Sequence, residues 1–177
     1  MKSTFPAIYS TLCPLALSSL ISANYGLSGV NCKLLVRGVG DTYLVETNLE
    51  RYILRVYRSS HRKLPQIREE VSLLLALKSA DVSVSYPLAT GSGELILNID
   101  AAEGERHAVL FTYARGRVEK LLNDKQLAAL GQEIARFHHV SAAIKLGDER
   151  WSFDLDTTLY KPLEVLRPVF TEDTENY

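Results

Sequence analysis

Cysteine is scarce: only Cys13 and Cys32 are present, with neither a C-x-x-C spacing nor an accompanying histidine pair. That argues against a disulfide scaffold and fits a reducing compartment, with two buried or half-buried thiols. Net charge is also lacking. Twenty basic and 21 acidic side chains leave a formal charge of −1, so no basic stripe exists to attract nucleic acid or an anionic membrane surface. Long apolar runs are missing too, because serines and threonines interrupt "LCPLALSSLISA" and no stretch nears the roughly 20 residues of a membrane span. That segment reads as a helix rather than a signal peptide. Pro14 suits a first helical position, Leu17, Leu20, Ile21 and Tyr25 recur near the 3.6 period, and Gly26 supplies the stop. The expected location is cytoplasmic, and no repeat or low-complexity tract is visible.

What is present suits a folded domain. The 177 residues, 46% hydrophobic and 23% charged, can bury a core as one domain or as a small domain plus part of another. Three strand-like runs, Cys32 to Arg37, Thr42 to Thr47 and Arg51 to Arg58, are separated by "GVGD" and "NLE", which predicts an antiparallel meander. "LPQIREEVSLLLALKSA" then predicts a helix, with Pro65 near its start. Two further strands, Glu94 to Asn98 and His107 to Thr112, are expected around a polar turn at Gly104. "NDKQLAALGQEIARFHHVSAAI" carries an Asn cap, Gln126 three residues on, and Leu127, Leu130, Ile134 and Phe137 at helical spacing. A helical second part is therefore expected from a boundary near Ala114 to Val118, giving domains 1–114 and 115–177. Its last segment, "TTLYKPLEVLRPVF", reads as one short helix or two, broken by Pro162 and Pro168. The fold class is α+β: a five-stranded antiparallel sheet with one helix, preceded by an N-terminal helix and followed by further helices.

Three features carry chemistry. "RGVGD" begins like a dinucleotide fingerprint, but Tyr43 occupies the third glycine's place and a strand follows, so a Rossmann turn is rejected. By itself the G-x-G reads as a hairpin turn needing positive φ. Arg55 shares a strand face with Ile53 and Tyr57, so it needs an anion, unless it forms a structural salt bridge or snorkels from an edge strand. Glu70 shares a helical stripe with Leu74 and Leu77 and is the obvious partner, with Glu69 left open by geometry alone. His138 and His139 point about 100° apart on a helix and cannot easily share a metal, while Asp154 and Asp156 in "FDLD" read as capping and turn residues.

Glycine turn, strand cation, helix carboxylate, two more strands and a linker into helices is the order found in kinase-like nucleotide lobes. With "RGVGDTYLVE", "YILRVYR", "EEVSLLLAL", "VSVSYPL", "AVLFTYARG", "LGQEIARFH" and "FDLDTTLYKPLEVLRP", the chain resembles the aminoglycoside phosphotransferase and choline kinase-like family from about Cys32 almost to its end. The resemblance implies a kinase-like N-terminal lobe followed by the first helices of an incomplete C-terminal lobe. It also implies transfer of the ATP γ-phosphate, with magnesium, to a hydroxyl of a small-molecule alcohol or occasionally a protein. Gly38, Gly40, Asp41 and Thr42 would form the phosphate-covering turn. Arg55 would hold the phosphates with Glu70 as its partner, Ile53 would wall the adenine, Phe111 would guard the back of the pocket, and the backbones of Thr112 and Ala114 would bond the adenine edge. Most of the superfamily has lysine where this chain has Arg55, although choline kinase-like members use arginine.

The family's H-G-D-x-x-x-x-N catalytic loop is missing: none of His61, His107, His138 and His139 precedes Gly-Asp. The expectation is therefore the front part of a longer phosphotransferase, cut near the polar ending "TEDTENY". It would have no catalytic or metal-binding residue of its own, its magnesium ligands lying in the missing lobe, and it would be inactive alone. Two rival readings remain. One is a non-catalytic nucleotide-sensing or protein-interaction module on the same lobe, its exposed apolar face closed by a partner or a homodimer. The other is an α+β domain unrelated to kinases.

Overall fold

A computed structural model describes residues 9–147, 149, 150 and 152–170, leaving aside the side chain of residue 170, so the polar ending lies outside the described residues. By their contacts the residues divide into two units, Met1–Lys145 and Leu146–Tyr177. The first contains α1 (Pro14–Tyr25), β1 (Asn31–Arg37), β2 (Gly40–Glu46), β3 (Arg51–Tyr57), α2 (Leu64–Ser79), β4 (Leu97–Ala101), β5 (Gly104–Thr112) and α3 (Asp124–Ala142). The strands form one antiparallel sheet of order β1-β2-β3-β5-β4.

Strand alternation gives each face of the sheet its own helix. Cys32, Tyr43, Val45, Leu54, Val56, Ala108 and Leu110 form one core with Leu17 and Ile21 of α1. Tyr57, Val109 and Phe111, on the opposite face, pack against Ile67 and Val71 of α2. The N-terminal apolar segment is thus a helix lying on the sheet. Of the two cysteines, Cys32 is buried, whereas Cys13, just before α1, is exposed rather than sheltered.

Helix α2 starts where Gln66 Oε1 accepts the Lys63 N–H at 3.1 Å. It stops at Asp81, whose φ of 60° is left-handed without being glycine, while Val82 N–H donates back to Leu77 O at 3.0 Å. Arg136 of α3 fastens this end, donating to Ala80 O at 3.2 Å and approaching the Asp81 carboxylate at 3.6 Å. Because a side chain in that conformation costs about 1 kcal/mol that glycine avoids, Asp81→Gly is expected to raise the melting temperature by a few degrees. An unchanged or lower value in a thermal melt would show that the exposed Arg136 pair outweighs the backbone term.

The sequence placed β4 too early. Glu94 belongs to a compact turn, its N–H bound to Thr90 Oγ1 at 3.0 Å and its C=O accepting from Thr90 N–H at 2.8 Å, so pairing with β5 begins only at Leu97. The β4–β5 hairpin turns tightly through residues 102 and 103 into Gly104, whose φ is 118°. Helix α3 opens on the reciprocal Asn123–Gln126 cap, both bonds 3.0 Å. It contacts α2 and belongs to the first unit. Its Leu127, Leu130 and Ile134 stripe is exposed, as are His138 and His139.

In the second unit a π-helical turn, Asp156–Tyr160, runs into α4 (Lys161–Phe170). Asp154 Oδ1 accepts the Thr157 N–H at 2.9 Å, and Asp156 pairs with Lys161 at 2.6 Å. Asp154 thus has the local capping role expected for "FDLD", whereas Asp156 makes an ion pair instead. Pro162 comes just after the π-helical turn, within the same helical run, and does not break it. Pro168 lies inside α4 and does not break it either.

Candidate nucleotide-binding site

The glycine turn joins β1 to β2, with Gly38 N–H donating to Gly40 O at 3.1 Å. Neither glycine has positive φ, so the expected conformational reason for glycine here does not hold. Gly40 is needed for a different reason: a Cβ there would stand 3.0 Å from Val56 O of β3. Gly40→Val should therefore push β2 off β3 and lower stability by about 1–3 kcal/mol in a denaturant titration; an unchanged midpoint would mean that the strands separate freely.

Thr42 pairs directly with Arg55, and Arg55 with Val109. A bulge at residue 35 brings Val36 opposite Thr42, which turns the end of β1 toward the Arg55 face. Leu44 faces Ile53, and Ile53 faces Phe111. Thr42, Leu44, Ile53, Arg55 and Phe111 thus share one face beneath the turn, with Phe111 buried at its back.

Arg55 Nη1 meets Glu70 Oε1 at 2.8 Å, with the two side chains 48% and 14% exposed. Glu70, not Glu69, is the partner. The sheltered carboxylate steadies a guanidinium whose outer side stays open to solvent, where its planar fork can take a second anion.

Asp41 does not belong with this group. It is fully buried on the α1 face, its Oδ2 accepting from Arg106 Nη2 at 3.0 Å, and Arg106 is fully buried too. The Tyr9 hydroxyl donates to the other Asp41 oxygen. Arg106 also donates to Tyr57 O at 3.1 Å and to Ser10 O at 2.9 Å. Asp41 is therefore a structural anchor just past the glycine turn. Arg106 was not singled out from the sequence, although a signal was present: Asp41, Tyr43 and Val45 alternate on one inward face, as do Arg106, Ala108 and Leu110.

The linker after β5 also departs from expectation. Thr112 N–H donates to Tyr86 O at 3.0 Å, its C=O accepts from Ser85 Oγ, and its Oγ1 accepts from Tyr86 N–H at 3.1 Å. Its backbone is already engaged and does not present a free edge to a base. Ala114 lies beyond the strand, and its backbone makes no hydrogen bond among the described residues. The next residue, Arg115, holds both Glu50 oxygens at 2.7 and 2.6 Å, tying the linker to the β2–β3 turn across a polar cleft of about 500 Å³. Among the described residues no group of three His, Cys, Asp or Glu side chains is placed to hold a metal. No described helix is long and apolar enough to cross a membrane.

The profile of the phosphotransferase enzyme family matches residues 32–169. The chain belongs to that family. An uncharacterised protein of Deinococcus radiodurans is 39% identical over 169 residues, covering 96% of this chain but 49% of its own length; the chain thus spans about half the length of the curated relatives it matches. Among solved structures, a microcompartment-associated aminopropanol kinase superposes with a TM-score of 0.67 at 27% identity, over 83% of this chain and 47% of its own. An amicoumacin kinase in complex with AMP-PNP, Ca2+ and its antibiotic superposes with a TM-score of 0.65 at 16% identity, over 92% and 54% respectively. The α+β, kinase-like architecture of this phosphotransferase-family chain is thereby shown. Helix α1 lies ahead of the matched residues.

Proposed function

We propose that this chain is the nucleotide-binding part of an ATP-dependent phosphotransferase whose acceptor is a hydroxyl of a small molecule. The carrying observation is the one-sided Arg55–Glu70 pair between β3 and α2, on the sheet face beneath the glycine turn. In this reading the open side of Arg55 meets the α and β phosphates, backbone of the Gly38–Gly40 turn covers them, and Thr42 lies alongside. Ile53, Leu44 and Val36 supply apolar surface for the base, with Phe111 behind it and Ala114 offering main-chain bonds. Phosphoryl transfer depends on positioning and charge stabilisation, and these residues supply the positioning half. Magnesium, when bound with the nucleotide, would spread the phosphate charge. With no H-G-D-x-x-x-x-N loop in its sequence, the chain by itself is expected to bind ATP weakly and transfer nothing.

The likeness to kinases named for aminopropanol and amicoumacin supports a small alcohol-bearing acceptor. Thermal melting tests the reading: with a Kd of about 1 mM, about 5 mM Mg-ATP should stabilise the chain by about 1 kcal/mol, a rise of about 2–4 °C. No rise, or the same rise with CTP, would contradict it.

A further inference from the structure

Tyr9 lies ahead of the residues that the family profile matches, yet its side chain reaches both stems of the glycine turn. Arg37 and Asp41 are the paired residues from which the turn springs, and as cross-strand partners they share the α1 face. The Tyr9 hydroxyl donates to Asp41, and the Arg37 guanidinium carbon lies 4.7 Å from the centroid of the Tyr9 ring. The guanidinium carbon of Arg58, just past β3, lies 3.7 Å from the same centroid, and that of the buried Arg106 on β5 lies 5.3 Å from it. One half-buried ring thus joins the end of β1, the start of β2, the end of β3 and β5. Arg37 forms no ion pair among the described residues, so the ring is the contact that orders it.

The turn has little of its own to hold it. Gly38 N–H closes it on Gly40 O at 3.1 Å, Val39 at its tip is exposed, and two glycines in three residues leave its backbone a wide choice of conformations. A ligand that needs the turn in one conformation must order it on binding, which subtracts from affinity unless the stems are already fixed. We propose that Tyr9 is a positioning residue: from the opposite side of the sheet it clamps Arg37 and Asp41, and so pre-organises the Gly38–Gly40 turn over the phosphates. Its effect on a ligand rests on the proposed function, in which that turn covers the phosphates.

NMR titration of the whole chain with Mg-ATP and with adenosine tests this, using wild type, Tyr9→Leu, Arg37→Gln, the two combined, and Arg55→Ala. Tyr9→Leu is expected to weaken Mg-ATP about tenfold, the scale of ordering one residue's backbone on binding, and to leave adenosine within about twofold. Arg37→Gln alters an exposed side chain and removes one cation–π contact, so Mg-ATP should bind about threefold more weakly. In the Tyr9→Leu background Arg37→Gln should add nothing, since the two act through one contact. Amide exchange supplies a local readout: in Arg37→Gln the Gly38 amide should exchange about threefold faster, while the Thr47 amide, bonded to Glu50 O in the β2–β3 turn at the other end of the sheet, keeps its rate. Should Tyr9→Leu not fold, Arg37→Gln decides alone by the same ligand contrast and the Gly38 rate. Unchanged Mg-ATP affinity in either variant, an equal loss for both ligands, a full further loss in the double variant, or an unaltered Gly38 rate overturns the proposal. If Arg55→Ala weakens Mg-ATP but the Tyr9 and Arg37 variants do not, this inference alone fails. If wild type binds no Mg-ATP, or Arg55→Ala binds it normally, the phosphate-holding reading fails as well.

Discussion

Arg55→Ala is expected to weaken Mg-ATP binding by about 10- to 100-fold, the worth of a charged hydrogen bond to phosphate, while changing unfolding free energy by about 1 kcal/mol or less. The asymmetry stems from exposure. At 48% exposed, Arg55 contributes little to stability through its 2.8 Å contact with Glu70, because solvent screens the pair. The same exposure leaves its fork open to a ligand. Arg55→Lys should recover part of the loss, since the charge persists but bidentate geometry does not. Calorimetry with ATP, ADP and adenosine checks this: the loss should shrink as phosphates are removed. An equal loss for adenosine would make Arg55 a support for the base pocket instead.

Arg106→Met should have the opposite profile, with a large loss of stability and a smaller direct effect on ligand. Removing one partner of a fully buried pair strands the other, and Asp41 has no access to water. The expected cost is about 3–5 kcal/mol, a fall in melting temperature of about 10 °C or more for a domain of this size. Arg106 also holds Tyr57 O and Ser10 O, so the loss would loosen β2, β3 and the segment before α1 together. Combining Arg106→Met with Asp41→Leu should restore part of the stability, because an apolar pair of similar volume avoids the stranded charge. A single variant melting within about 2 °C of wild type would contradict this role for the anchor.

Local pattern carried much of the fold. The alternation in β1, β2 and β3, the Asn123 cap and the stripe of α3 are short-range signals, and the structure contains the elements they predict. The Arg55–Glu70 meeting was also legible, because β3 and α2 are consecutive and each presents its charge on an apolar face. What escaped depended on long-range partners. Asp41 looked like a turn residue because it follows Gly40, and only the register with β3 and the approach of β5 place it beside Arg106, 65 positions away. Thr112 looked like an open edge until residues 85 and 86, remote in sequence, took up its backbone. Gly40 was expected to be glycine for its φ, whereas it is glycine for the nearness of the adjacent strand β3.

The most direct test is a crystal structure of the chain with Mg2+ and AMP-PNP. The phosphates are predicted on the Arg55 side of the sheet, under the Gly38–Gly40 turn, with the guanidinium bonded to a phosphate oxygen and Glu70 still beside it. A nucleotide bound with its phosphates on the Arg106 face, or an Arg55 side chain turned away from a bound triphosphate, would contradict the phosphate-holding role.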